Sequence, residues 1–499
     1  MRRKSGVLLN VSSLMGEYGI GGFSKNTLTF FETMLDMSFK VWQVLPITTI
    51  GLGNSPYSGV SAFAGNYLYI DPDHMPERLL TRDERVSLRY NASQFMVDYE
   101  FARYSKRKML ELAFPRLNDA DNNAIDLFLK KNQDWVMDYA VYRALKEHFA
   151  EKPWYQWDKP YRTRTSAEVA KFEKANTARI RFYIYEQYEF FRQWDIIKKE
   201  ASLRGIQIFG DMPIYVSLDS VDVWAHPQEF LLDAEGMPTL VAGVPPDYFS
   251  ADGQLWGNPI YNYEHMKTTK YEWLIKRIEH NLKLYDILRI DHFRGLVDYW
   301  AIPASATSAR LGSWKKGPGM DLWKEFFKKH PNPPIIAEDL GIIDDKVRTA
   351  LRETGFYGMR VLQFAFDGDP NNTNLPHNYV QECVAYTGTH DNNTSLGWLY
   401  EASVEERERA LAYVGFSGGG WGAGGGRCES TKALIKAVIG SVANLAIIPL
   451  QDLCGYGADT RLNRPGVPQN NWTYRATLEA LNEIDTNYMH NLNSRYGRA

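Results

Sequence analysis

The chain has 499 residues, 44% hydrophobic, 14% aromatic and 23% charged, with a formal net charge of −3. That length excludes a small stapled domain and leaves ample surface for a core. The near-neutral balance excludes both the basic stripe that nucleic-acid phosphates draw and an acidic solvating tail. Cys383, Cys428 and Cys454 are too few and too scattered for a disulfide framework or a zinc knuckle. A reducing compartment follows, and with it a cytoplasmic protein. Behind the basic start Met1–Lys4 the apolar run is only Val7–Leu9, short of a secretory signal, and no run reaches the ~20 residues of a membrane span.

Eight short apolar runs, each ending in polar residues, are expected as strands. They are Gly6–Asn10, Lys40–Pro46, Ile206–Asp211, Ile287–Asp291, Ile335–Asp339, Met359–Phe366, Val384–Asp391 and Leu445–Asp452. Near-continuous apolar strands are what a parallel sheet buried on both faces requires. Helical patterns lie between them. Ser24 is placed to N-cap a helix through Asp36, and Asp344 to cap Asp345–Thr354 with Gly355 closing it. Ser403 with Glu406 reads as a capping box for a helix through Tyr413, and Thr431–Val442 is a further helix. Eight strands alternating with helices predict an α/β fold, a (β/α)8 TIM barrel occupying residues 1–499 as one elaborated domain. Residues 47–205 are too long for one crossover and form an insertion, largely helical from about Ala120, with runs Val136–Phe149 and Ser166–Ser202. Residues 212–286, rich in Pro, Gly and aromatics, read as a long functional loop. Gly415–Gly426, with eight glycines around Trp421, reads as a loop between two outer helices.

In such barrels the active site lies at the C-terminal ends of the strands. Those predicted ends are acidic here: Asp211, Asp291, Glu338 with Asp339, Asp391 and Asp452. Barrel metal sites bring several histidines to the rim, whereas only His292 and His390 fall there, so a metal is disfavoured. Carboxylate catalysis fits better. A retaining glycosidase needs one ionised carboxylate as nucleophile and one protonated carboxyl as acid. Arg289 precedes Asp291 by two residues and faces the same way on a strand, so it would hold Asp291 ionised. Glu338 lies among apolar neighbours, where a carboxyl keeps its proton, and Asp391 supplies a third carboxylate. The alternative for Arg289 and Asp291 is an ion pair that braces the barrel.

The segments around these residues resemble the amylomaltases, or 4-alpha-glucanotransferases, of glycoside hydrolase family 77. The resemblance rests on Tyr18–Gly22, Trp42–Pro46, Gly53–Tyr57, Ser61–Asn66, Gly210–Val216, Val241–Tyr248, Gln254–Pro259, Arg289–Gly295, Ala337–Gly341 and Thr387–Asn393, all in order. It implies a retaining transglycosylase on a barrel of the alpha-amylase type, moving alpha-1,4-glucan segments between maltooligosaccharides or starch-like chains, with no cofactor or metal. By the same resemblance Asp291 is the nucleophile, Glu338 the acid/base and Asp391 the transition-state stabiliser. Arg289, Asp211, His390 and Tyr57 would line the sugar at the cleavage point. Asp247, Trp256 and Asn463 would touch the acceptor glucan, and Tyr99 a secondary glucan. Val241–Tyr248, with Gly243, Pro245 and Pro246, is expected to arch over the groove, with Phe249 and Trp256 offering stacking faces. An alpha-glucan hydrolase or a branching-type transferase on the same barrel is the enzymatic alternative. A non-catalytic glucan-binding barrel is the alternative outside enzymes.

Overall fold

The computed structural model describes residues 3–246, 252–341, 343–467 and 469–499. Eight strands form the barrel: β1 (Lys4–Leu8), β2 (Val41–Gln43), β3 (Gln207–Met212), β6 (Ile287–Ile290), β9 (Ile335–Ala337), β10 (Gly358–Val361), β11 (Cys383–Tyr386) and β12 (Leu445–Pro449). Their order is β10-β11-β12-β1-β2-β3-β6-β9, every pair parallel. The sheet closes between its two ends, where the Ala337 amide donates to the Tyr357 carbonyl at 2.9 Å. Inward side chains such as Leu8, Val41, Phe209, Ile287, Ile336, Val361 and Ile447 fill the interior as one buried cluster, so the barrel is a packed core.

Strand bounds differ from the apolar runs that predict them, most strands being shorter and β3 ending one residue later, and this moves several carboxylates. Asp211 lies within β3 rather than at its end. Pro449 ends β12 and opens the helical turn Leu450–Leu453, so Asp452 sits in that turn. There it is buried and accepts from Thr387 and Ser395. Asp339 accepts from the Met359 amide and pairs with Arg360, tying β9 to β10 at the seam. Both are therefore structural, which corrects the expectation that Asp339 and Asp452 belong to the acidic rim.

Helices fall close to their sequence signals. Ser24 caps Lys25–Asp36, Asp344 caps Asp345–Thr354 before left-handed Gly355, and Ser403 with Glu406 forms the capping box of Val404–Tyr413. The helix expected over Thr431–Val442 is Glu429–Gly440, starting two residues earlier than its pattern. Between β2 and β3 lie Tyr99–Ala113, Asp119–Lys131 and Val136–His148, then Ala167–Ala175 and Thr177–Leu203, split at Asn176. In the glycine-rich stretch, Trp421 packs between Tyr400 and the Arg407 guanidinium. Among the described residues no helix is long and apolar enough to cross a membrane.

Residues 212–286 are not a plain loop. They carry β4 (Leu240–Val244) and β5 (Gln254–Pro259) and the helices Tyr263–Thr268 and Glu272–Leu284. With β7 (Asp298–Pro303) and β8 (Ser313–Lys316) they build an antiparallel sheet in the order β5-β4-β7-β8. Val241–Val244, expected to arch over the groove, is therefore strand. The two outer strands carry no apolar run because they are largely exposed, β8 along its whole length, whereas the inner strands β4 and β7 are mostly buried.

Gly210 shows how tightly the barrel meets its helices. A Cβ there would fall within the ring of Tyr285, itself buried and edge-on to Trp194 with centroids 6.2 Å apart. Gly210→Ala is expected to destabilise the protein by about 1–3 kcal/mol through overpacking. A thermal or denaturant midpoint equal to that of the parent would show that Tyr285 can yield.

Candidate active site

At the C-terminal end of the barrel a cleft of about 680 Å³ is lined by Asp291, Glu338 and Asp391, together with Tyr57, Trp256, Arg289, His390 and Asn463. Asp291 follows β6, and its amide donates to the Met212 carbonyl at 3.0 Å. His292 adopts a left-handed backbone conformation, φ 46°, sparsely populated for a non-glycine residue. That turn aims its amide at Glu338 Oε2, 2.7 Å away, while the Leu340 amide donates to Oε1 at 2.7 Å. Glu338 is thus fixed by two main-chain donors, and one of them belongs to the residue after Asp291. Two carboxyls from neighbouring strands are held to one place by backbone geometry.

Arg289 Nη2 lies 2.8 Å from Asp211 Oδ2, 2.9 Å from Asp291 Oδ1 and 3.1 Å from the Tyr57 hydroxyl. Tyr57 donates to Asp211 Oδ2 at 2.6 Å. The guanidinium is therefore divided: Asp211, fully buried, takes as close a share as Asp291, whose side chain keeps 27% exposure to the cleft. Arg289 thus sits beside Asp291 as its spacing predicts, and Asp211 shares it. Burial raises the Asp291 carboxyl, Arg289 pulls it down, and Asp211, Glu338 and Asp391 raise it further. Burial pushes Glu338 up to about 7, against Arg289 and its two amide donors. Asp291 and Glu338 thus titrate as a pair that retains a proton towards neutral pH. The cation in contact with Asp291 favours the anion there and leaves the proton with Glu338.

Asp391 accepts from Asn463 Nδ2 at 2.6 Å and lies 3.3 Å from His390 Nε2. The Arg461 guanidinium holds the Asp391 carbonyl at 2.6 Å. Burial lowers His390, so the imidazole is neutral and acts as a hydrogen-bonding group. Its ring stacks on Tyr57, with centroids 5.1 Å apart at 12°. Trp256, 37% exposed and also lining the cleft, meets His292 edge-on at 4.9 Å. The cleft thus has aromatic walls around a carboxylate floor, suited to the apolar faces and hydroxyl edges of a sugar.

The remaining expected residues fall differently. Asp211 lies behind the cleft, reaching it through Tyr57 and Arg289. Tyr99 is 8% exposed and donates to the Trp472 carbonyl at 2.8 Å, so it supports the wall from beneath rather than offering a face. Asp247 and Phe249 lie outside the described residues. Trp472, Trp314 and Tyr215 also line the cleft. Trp472 flanks both Tyr57 and His390 at 5.9 Å. It sits in irregular chain with φ 65°, where no periodicity could mark it.

A parallel barrel with convergent carboxylates in an aromatic cleft defines an enzyme that works on glycosidic bonds. Glycoside hydrolase family 77, described as 4-alpha-glucanotransferase, matches residues 9–480. A 4-alpha-glucanotransferase of Clostridium butyricum is 39% identical over 496 residues, covering 98% of this chain and 100% of the relative. Another, from Aquifex aeolicus, is 41% identical over 479 residues and covers 95% of each chain. The solved structure of an amylomaltase from Streptococcus agalactiae in complex with acarbose superposes with a TM-score of 0.95 at 37% identity, covering 100% of both chains. This chain belongs to glycoside hydrolase family 77, the 4-alpha-glucanotransferases.

Proposed function

We propose that the chain transfers alpha-1,4-glucan segments between maltooligosaccharides by double displacement, with Asp291 as nucleophile and Glu338 as acid/base. The observation that carries this reading is the shared turn: the amide of His292, next to Asp291, holds Glu338 Oε2 at 2.7 Å, while Arg289 touches Asp291 and not Glu338. The Asp291 carboxylate attacks the anomeric carbon as the bond to the leaving 4-oxygen breaks, and that oxygen takes the proton of Glu338. In the second step an incoming sugar 4-hydroxyl gives its proton to Glu338 and attacks the same carbon, releasing Asp291. Retention of configuration follows from the two inversions.

Asp391, fixed by Asn463 and beside His390, is positioned to bind hydroxyls of the sugar as it flattens towards the oxocarbenium-like state. Tyr57, stacked on His390, presents its ring to the donor side, and Trp256 faces the acceptor side. Asp211 acts through Tyr57 and Arg289 as a positioning residue. The three cysteines are buried and unpaired, which supports a reducing cytoplasm as the place of action.

Incubation with maltotriose tests the reaction. Glucose together with a ladder of longer maltooligosaccharides is expected. Glucose and maltose with no ladder would make the protein a hydrolase, and products carrying 1,6-linkages would make it a branching-type transferase.

A further inference from the structure

Transfer requires that the glycosyl-enzyme meet a sugar hydroxyl before it meets water, so the acceptor side of the cleft has to hold a glucan in place. The acid/base marks that side, because it protonates the leaving oxygen and later deprotonates the acceptor. The cleft that holds Glu338 is also lined by Leu340, Gly341 and Arg294 from the barrel loops and by Trp314 from β8 of the small sheet.

Trp314 is 38% exposed, matching Trp256 at 37%, and both line the cleft. Unlike an ordinary surface indole it is clamped. The Arg294 guanidinium lies over its ring at 4.0 Å. Arg294 is itself buried at 6% exposure and anchored to Asp298 at 3.0 Å and Asp344 at 2.9 Å. Asp298 begins β7 of the small sheet, and Asp344 caps the helix that follows the Glu338 loop. Trp300, paired with Trp314 across β7 and β8, meets it edge-to-face at 5.2 Å. Trp300 is in turn locked, donating to the Ala309 carbonyl at 2.8 Å with Gly312 directly against its indole. Arg294 stands three residues after Asp291, so one side chain ties the nucleophile turn, the acid/base loop and the outer sheet to this ring.

We propose that Trp314, presented by Arg294, is a stacking platform for the acceptor glucan and so sets how often the glycosyl-enzyme is resolved by a sugar rather than by water. The proposal rests on the transferase reading and deepens it. A rigid, partly desolvated tryptophan offers a glucose face a large contact at little entropic cost, because its rotamer is already fixed. The ring is held by Arg294 and Trp300, lines the cleft and keeps 38% exposure, which together are what a binding platform requires.

The test uses alpha-maltotriosyl fluoride as donor and maltose as the varied acceptor, with the full-length protein and its Trp314→Ala and Trp314→Phe variants. Trp314→Ala is expected to raise the acceptor KM by roughly 3–10-fold, the worth of an aromatic contact. The split matters: kcat at saturating maltose falls by less than the KM rises, and the ratio of transfer to hydrolysis drops. Trp314→Phe, which keeps a ring on the platform and the shape of the strand, is expected to restore most of both. An acceptor KM unchanged in the alanine variant overturns the proposal, as does a loss of kcat alone. So does a phenylalanine variant as impaired as alanine while melting with the parent protein. Absence of a maltotriose ladder from the parent protein would instead defeat the transferase reading, an outcome the variants do not affect.

Discussion

Asp291→Asn is expected to lower glucan transfer by about 10⁴-fold or more, equivalent to roughly 5 kcal/mol of activation free energy. An amide cannot form the glycosyl ester, so the first displacement has no nucleophile. The fold is expected to tolerate the change. Arg289 keeps its contact with Asp211 at 2.8 Å, so no buried cation is left unpaired. The sign of the effect on stability also follows. Burial raises the folded-state pKa of Asp291, with Asp211, Glu338 and Asp391 adding to the rise. A carboxyl of that kind contributes stability below its unfolded pKa and loses it as pH rises through the folded value. At neutral pH the variant should therefore melt no lower than the parent protein. Retained transfer would remove Asp291 from the chemistry, and collapse of the fold would show that its ion pair with Arg289 braces the barrel instead.

Glu338→Gln is expected to cost about 10²–10⁴-fold in transfer, the usual worth of a positioned general acid/base. The donor decides how much is lost. Fluoride leaves without protonation, so cleavage of alpha-maltotriosyl fluoride should be spared relative to maltotriose, whereas ladder formation needs Glu338 as base and should not recover. The pH profile carries the same assignment. Burial lifts Glu338 to about 7, so below that value the acid holds its proton and above it cleavage of maltotriose falls. That alkaline limb should disappear in the glutamine variant with the fluoride donor. Glutamine also has one acceptor where Glu338 uses two, for the amides of His292 and Leu340. Its loss should cost about 1–3 kcal/mol of stability, visible as a lower melting midpoint. An unaltered pH profile and full turnover would sink the acid/base role.

These two variants bear on one arrangement. The nucleophile turn and the acid/base loop exchange main-chain hydrogen bonds: the Glu338 amide donates to the Ile290 carbonyl at 3.0 Å and the Phe293 amide to the Glu338 carbonyl at 3.1 Å. The backbone under one carboxyl is thereby tied to the backbone under the other. This is how a barrel holds reacting groups to a fixed separation, using adjacent parallel strands rather than mobile loops.

The barrel, and Asp291 and Glu338 directly after β6 and β9, were legible in the order of the amino acids. Runs such as Ile287–Ile290 and Ile335–Ala337 are apolar because both faces of a parallel strand are buried, a constraint local enough to read residue by residue. Caps such as Ser24 and Asp344 were legible for the same reason, since each satisfies backbone donors two or three residues away. The spacing of Arg289 and Asp291 placed both on one face. Tertiary structure alone decided what each polar group does. Asp339 and Asp452 carry the same strand-end signature as Glu338, yet they turn to Arg360 and to Ser395 with Thr387. Only the packing of neighbouring strands distinguishes them. The division of Arg289 between Asp211 and Asp291 depends on strands β3 and β6 lying side by side. The outer strands of the small sheet were hidden because exposed strands such as β8 have no buried face to impose a pattern. Trp314 and Trp472 become parts of a wall only when segments distant in sequence close around the cleft.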